Sequence, residues 1–142
     1  MNRKYQLLIL LLAPIWSNGP NFVGEELQYA AGFRFFPAGE AILTFSLDSL
    51  NGESVFRLTT SIKTNSFLDA FYEVRDEIQS WLNTENLSLK KTIQTIREGS
   101  YHRDHKSIIQ GDSIAVSGNK IRNLPGRVYD PISFVYYLRN QD

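Results

Sequence analysis

Residues 41–62 read AILTFSLDSLNGESVFRLTTSI, and this stretch decides the fold. Apolar side chains recur at every second position on both sides of Asn51-Gly52, which is the spacing of residues on one face of a β-strand. Asn and Gly both tolerate the left-handed backbone that a two-residue hairpin turn requires. The stretch therefore predicts two antiparallel strands whose shared apolar face carries Leu43, Phe45 and Leu58.

The same alternation extends in both directions from this hairpin. Residues 27–35 predict a strand before it, and Pro37-Ala38-Gly39-Glu40 predicts the turn that joins that strand to the hairpin. Residues 64–71 have helical spacing and predict a short helix or tight corner. Four further strands are predicted at residues 72–82, 87–97 (with Leu89 and Ile93 on one side), 101–109 and 113–116.

The last segment predicts a helix that begins at Asp130-Pro131. An aspartate can cap the first turn, and the missing N–H of proline costs nothing at the first helical position. Apolar residues surround most of this helix, so it requires burial on more than one side. The sequence thus predicts a mainly β fold: a curved antiparallel sheet or partly open β-barrel of about seven strands with a C-terminal helix.

Residues 1–19 predict a secretory signal peptide ahead of this domain. Arg3 and Lys4 supply a positive start, an apolar run follows at 7–16, and Ser17, Asn18 and Gly19 form a small polar exit. The run is about half the length of roughly 20 residues that a membrane span needs. We expect a single β-rich domain over 20–142 in the periplasm or secreted, with no transmembrane span after signal cleavage.

Composition excludes several classes of protein. There is no cysteine, hence no disulfide, no thiol catalysis and no cysteine for a lipid anchor. Without Arg3 and Lys4 the chain has 13 basic and 15 acidic residues, a net charge of −2, which gives no case for nucleic acid. Residues 20–85 carry 10 acidic and 4 basic residues (−6), and 86–142 carry 5 and 9 (+4). This asymmetry fits either complementary solvated surfaces or a basic surface for an anionic partner such as lipid head groups.

Polar clusters give little indication of catalysis. On a strand, His102 and Asp104 share a face while His105 points away, so we expect no metal site and no cofactor. The serine and lysine of residues 117–120 have the spacing of an acyl-transfer motif, but the stretch predicts a hairpin turn. Asp76 lies on an apolar row, where we expect it to pair with Arg97 or Arg139 unless it is an acid in a pocket.

Four groups of residues resemble a family of bacterial exported β-rich proteins, domain-of-unknown-function family 3108. They are GEEL at 24–27 with Tyr29, Ala38-Gly39 with Ala41, YEVRD at 72–76 with Ser80, and DPIS at 130–133 with Tyr136, Tyr137, Leu138 and Arg139. The resemblance implies no assigned activity. It also implies that strands following the helix in the family are absent from this sequence. An unpaired sheet edge would then promote self-association.

Most aromatic residues are expected in the core, but a few could line a ligand site. Trp81, Tyr136 and Arg139 join apolar surface to a cation, as an anionic amphiphile requires, and Asp76 is a fourth candidate. We predict a non-catalytic binding or scaffold domain for a lipid, glycan or envelope protein. The alternative is a hydrolase of envelope glycans or lipids that uses Asp76 and a histidine as acid and base.

Overall fold

The computed structural model describes residues 22–33 and 36–141 of the chain. The predicted signal peptide at residues 1–19 lies outside these described residues. The elements in chain order are β1 (Glu26–Phe33), β2 (Phe36–Leu50), β3 (Glu53–Thr64), α1 (Ser66–Asp69), β4 (Arg75–Leu82), β5 (Leu89–Glu98), β6 (Tyr101–Gln110), β7 (Ile114–Ser117), β8 (Lys120–Asn123) and α2 (Pro131–Arg139).

All eight strands form one sheet, in which the spatial order follows the chain from β1 to β8. Every neighbouring pair is antiparallel. In the described residues β1 and β8 do not pair with each other, so the sheet is open. The predicted mainly β fold with a C-terminal helix is confirmed. There are eight strands because Lys120–Asn123 forms one more after the turn at Gly118.

The predicted central hairpin is formed by β2 and β3. Asn51 and Gly52 have positive φ angles of 55° and 85°, as a tight hairpin turn requires. Phe45 pairs with Leu58, and their side chains are only 1% and 2% exposed. Because side chains alternate along a strand, this buried pair defines the core face of the sheet, and we call the opposite side the outer face.

Helix α2 covers one end of the core face. The Asp130 carboxylate accepts the backbone N–H of Ser133, and the Ser133 hydroxyl accepts the backbone N–H of Asp130 in return. Tyr136 is 1% exposed, and its ring centroid lies 4.9 Å from that of Phe45. The predicted helix start at Asp130-Pro131 is confirmed.

The short helix predicted within residues 64–71 is confirmed as α1. The Asn65 side chain caps it by accepting the backbone N–H of Leu68 at 3.0 Å. The Asn65 backbone N–H donates to the Ala38 carbonyl, also at 3.0 Å. This corner therefore passes close to the start of β2.

The predicted turn at residues 37–40 is wrong, because these residues belong to β2. Gly32 pairs with Pro37 but Ala31 pairs with Gly39, so β2 contains one extra residue. This irregularity is a β-bulge, where the missing N–H of a proline is tolerated within a sheet.

Leu89 and Ile93, predicted on one side of a strand, lie on different faces. Leu82 pairs with Leu89, but the preceding Trp81 pairs with Lys91, so β5 also contains an extra residue. Leu89 packs against the core, whereas Ile93 follows Lys91 on the outer face. After the bulge, side chains of β5 that would have pointed to one face point to the other. A prediction that assumes a strict two-residue period therefore places Leu89 and Ile93 on the same face.

Candidate functional site

Part of the core face is left uncovered by α2. Tyr29 on β1 and Ile62 on β3 lie on this face and are 53% and 38% exposed. Ala41 pairs with both of them, and Ala31 follows Tyr29 on the same face. We call these four residues the apolar patch; they border an open cavity of about 190 Å³. Exposed apolar residues that adjoin the protein core make this part of the sheet a candidate binding surface.

A larger cavity, of about 1070 Å³, lies beside β6, β7 and β8. Thr92 of β5 is buried on the core face. No bulge interrupts the pairing of β5 with β6, β6 with β7 or β7 with β8, so the alternation of side chains can be followed from Thr92 to β8. This alternation places Arg103 and His105 of β6, and Lys120 and Arg122 of β8, on the core face. We call this region, defined by those four residues, the cationic cavity.

The cations of this cavity have no carboxylate partner among the described residues. Of the twelve lysines and arginines in the described part of the chain, seven form ion pairs. An eighth, Lys91, lies over the Trp81 ring. The other four all line the cavity: Arg103, Lys120 and Arg122 from the core face, and Lys106 from the outer face. The acidic lining residue, Asp104, is bound at 2.8 and 3.0 Å by the Arg97 guanidinium, so the cavity is net positive.

A histidine and a serine meet at the cationic cavity. His105 Nδ1 lies 3.5 Å from Ser117 Oγ. A nucleophilic serine needs a base that a third group orients. Asp104, the neighbour of His105 in sequence, does not orient His105, because its side chain lies on the other face of the strand and binds Arg97. Residues 117–120 form the predicted hairpin turn, which rules out the helical acyl-transfer motif there.

Tyr136 and Arg139, two predicted ligand residues, lie together at the end of α2. The Arg139 guanidinium donates to both oxygens of the Glu25 carboxylate, at 2.8 and 2.6 Å. It stacks over the rings of Phe22 and Tyr136, 4.6 and 4.9 Å from their centroids. Burial, together with the Glu25 carboxylate, raises the pKa of the Tyr136 hydroxyl. The Arg139 charge is thus already compensated, and the cluster fastens α2 to the segment before β1.

The Glu25–Arg139 pair makes stability depend on pH. The Arg139 hydrogen bonds hold the pKa of Glu25 below its ordinary value, so the stabilisation is fully present above about pH 4.3 and lost as the pH falls through the lowered folded-state value. We expect Arg139→Gln to lower the free energy of unfolding by only about 1 kcal/mol at pH 7, because the pair is partly exposed. The loss should be smaller at pH 3, where part of the stabilisation by the ion pair has already been lost. Urea unfolding at both pH values checks this. An equal loss at both would mean that guanidinium stacking, and not the ion pair, fastens the helix.

Trp81 does not share a face with Tyr136. It pairs with Arg57 and Lys91 on the outer face, is 7% exposed, and lies under the Lys91 ammonium, 4.0 Å from the ring centroid. Its indole N–H donates to the Asp48 carboxylate at 3.0 Å. The structure therefore brings Tyr136 and Arg139 together and leaves Trp81 on the other side of the sheet.

Asp76 is buried on the core face, 8% exposed, but its predicted pairing with the side chain of Arg97 or Arg139 is wrong. Its carboxylate accepts the backbone N–H of Arg97 at 2.8 Å. The Arg97 guanidinium binds Asp104, and the other expected partner, Arg139, binds Glu25. His105 lies two strands away, roughly 10 Å across the sheet, so the structure does not bring Asp76 and this histidine into contact.

The cations of the cationic cavity were not among the residues singled out from the sequence. The excess positive charge of residues 86–142 was the available signal, and it pointed to a basic surface without naming its members. Which cations are compensated depends on cross-strand neighbours, such as Lys90 with Glu53 at 2.6 Å. These partners are far apart in the chain, so only the folded sheet separates paired from unpaired cations.

Residues 22–33 and 36–141 contain neither a candidate metal site nor a candidate membrane-spanning helix. No group of three or more histidine or acidic side chains there is arranged to hold a metal ion. Neither of the two helices in this range has the length and apolar character needed to cross a bilayer.

Comparison with known proteins identifies the family. A family model described as a protein of unknown function, DUF3108, matches residues 28–141, from within β1 to just after α2. No curated protein and no solved structure gives a match. Since the match spans well over half of the chain, this protein belongs to the DUF3108 family of proteins of unknown function.

Proposed function

We propose that this protein is an exported, non-catalytic domain of the bacterial envelope that binds a lipid, glycan or protein partner on the uncovered part of its core face. The apolar patch is the observation that carries the proposal. A sheet normally buries its apolar face against another layer, but here α2 covers only one end of it. Export is supported by the predicted signal at residues 1–19.

The chemistry of the patch favours a lipid among these partners. Two of its four members are alanines, Ala31 and Ala41, which leave a shallow surface between the larger Tyr29 and Ile62. An aliphatic chain lying along this surface would remove apolar area from water on both sides, at about 25 cal/mol per Å².

Myristoyl-lysophosphatidylcholine, a single-chain lipid without net charge, tests the proposal. Isothermal titration of the purified protein below the micelle concentration is expected to show saturable binding. Ile62→Asn should weaken this binding about tenfold, because a polar side chain replaces part of the apolar contact. Ile121→Asn is the matched control: Ile121 is 70% exposed but lies on the outer face, so its replacement should leave binding unchanged.

The proposed lipid binding would be contradicted by absence of binding, or by equal weakening in both variants. Export is tested separately, by recovery of the full chain in the periplasmic fraction of an expressing bacterium. Retention in the cytoplasm, with residues 1–19 uncleaved, would contradict the proposed location.

A further inference from the structure

We propose that the cationic cavity is the head-group site of an anionic single-chain amphiphile whose chain lies towards the apolar patch. This inference rests on the proposed function and names the ligand class for the same face. It assigns Arg103, Lys120 and Arg122 to the anionic group, with His105 and Ser117 as hydrogen-bonding neighbours.

The distribution of compensated charge is the main argument. Cations elsewhere in the described chain have a carboxylate or an aromatic ring against them, whereas the four that do not are gathered around one cavity. Scattered surface lysines would not be expected to concentrate in this way. A concave surface lined by one sign of charge raises the local concentration of ions of the opposite sign.

The position of the cavity links it to the apolar patch. Arg103 and Ile62 lie on the same face, three strands apart, which is about 14 Å at a strand spacing of about 4.8 Å. Ile78 and Ile96 lie between them on that face, and both are partly exposed. An extended myristoyl chain can cover this distance while its head group contacts the cations.

Asp76 also lies between the two regions and orients the ligand. Its carboxylate would repel an anionic head group placed centrally on the sheet. The net positive charge is at the β6–β8 end, so the head group is favoured there and the chain at the β1–β3 end. A neutral amphiphile would keep the chain contacts and lose this orientation.

Head-group preference tests the inference. Myristoyl-lysophosphatidylglycerol, which is anionic, is expected to bind the protein purified from the periplasmic fraction about tenfold more tightly than myristoyl-lysophosphatidylcholine at low salt, and added NaCl should reduce the difference. A Lys120→Gln, Arg122→Gln double variant should lose most of the preference and keep its affinity for the zwitterionic lipid. The control, Lys90→Gln with Arg127→Gln, removes the same charge from cations paired with Glu53 and Asp112, and should keep the preference.

The outcomes distinguish failure of the head-group site from failure of the proposed lipid binding. Equal affinity of the wild-type protein for both lipids overturns the head-group site while the proposed function stands. Loss of the preference in the control variant as well would show that the preference depends only on net charge, and this would also overturn the head-group site. Binding of inorganic phosphate as tight as that of the anionic lipid would overturn the amphiphile in favour of a free anion. If neither lipid binds, both the inference and the proposed lipid binding fail.

Discussion

Replacing Phe45 with alanine is expected to lower the free energy of unfolding by about 3–5 kcal/mol. Phe45 is 1% exposed and is the side chain on which sheet and helix meet. Its ring lies 5.7 Å from Phe22, 5.0 Å from Phe56 and 4.9 Å from Tyr136, centroid to centroid. The truncation would leave a cavity among rings that come from three separate parts of the chain, and urea unfolding followed by circular dichroism measures the loss.

Leu47 supplies the matched control for this prediction. It lies two residues further along β2, on the same face, but is 59% exposed. Leu47→Ala should therefore change stability by no more than about 0.5 kcal/mol. Should Phe45→Ala fail to fold, Phe45→Leu is expected to give a measurable loss of about 1–2 kcal/mol. Equal effects at Phe45 and Leu47 would contradict the described core.

Gly39→Ala is expected to destabilise the protein by about 1–3 kcal/mol, more than its size suggests. A Cβ at Gly39 would overlap the Lys63 carbonyl oxygen and lie 3.0 Å from the Thr64 Cα. Both are backbone atoms, so no side chain can rotate away and β3 itself must shift. That shift would also disturb the hydrogen bond from Asn65 to Ala38 at the adjacent corner. Thermal unfolding of the variant and the wild type measures the difference.

Gly118→Asn is the control variant, because it replaces a glycine that no neighbouring strand approaches closely. Gly118 has a positive φ of 55°, but a Cβ built there meets nothing within 4 Å. Asparagine tolerates this left-handed backbone better than most residues, so we expect a loss below about 1 kcal/mol. A Gly39→Ala variant as stable as wild type would show that the backbones of β2 and β3 are further apart than described.

Local patterns were sufficient for the elements whose causes are local. Asn51-Gly52 predicted the central hairpin because the turn geometry depends on those two residues alone. Asp130 predicted the start of α2 because the cap bonds only to the next few backbone groups. The spacing of residues 64–71 predicted the α1 corner, whose Asn65 cap is equally local because it bonds to the nearby backbone of Leu68.

Bulges and close approaches could not be predicted because they depend on a neighbouring strand. Pro37 and Gly39 have the composition of a turn, but both are used inside β2, one beside a bulge and one under the carbonyl of Lys63. The bulge in β5 likewise separates Leu89 from Ile93. The sequence of one strand does not show which atoms of the neighbouring strand lie against it.

The candidate site depends still more on long-range pairing. Trp81 and Tyr136 are both aromatic and buried, and only the register shows that they lie on opposite faces. Arg139 and Arg122 look alike in the sequence, yet the first is bound by Glu25, 114 residues away, and the second has no carboxylate partner in the described residues. Charge asymmetry indicated a basic region, and cross-strand geometry selected its available cations.

Isoleucine methyl NMR tests most directly the central claim that one face of the open sheet binds an anionic amphiphile. Myristoyl-lysophosphatidylglycerol would be titrated into the protein below its micelle concentration. We predict saturable shifts for the methyl groups of Ile62 and Ile96, on the core face, with little change at Ile93 and Ile121 on the outer face. Shifts confined to Ile93 and Ile121, or no saturable shift at any of the four, would contradict the account.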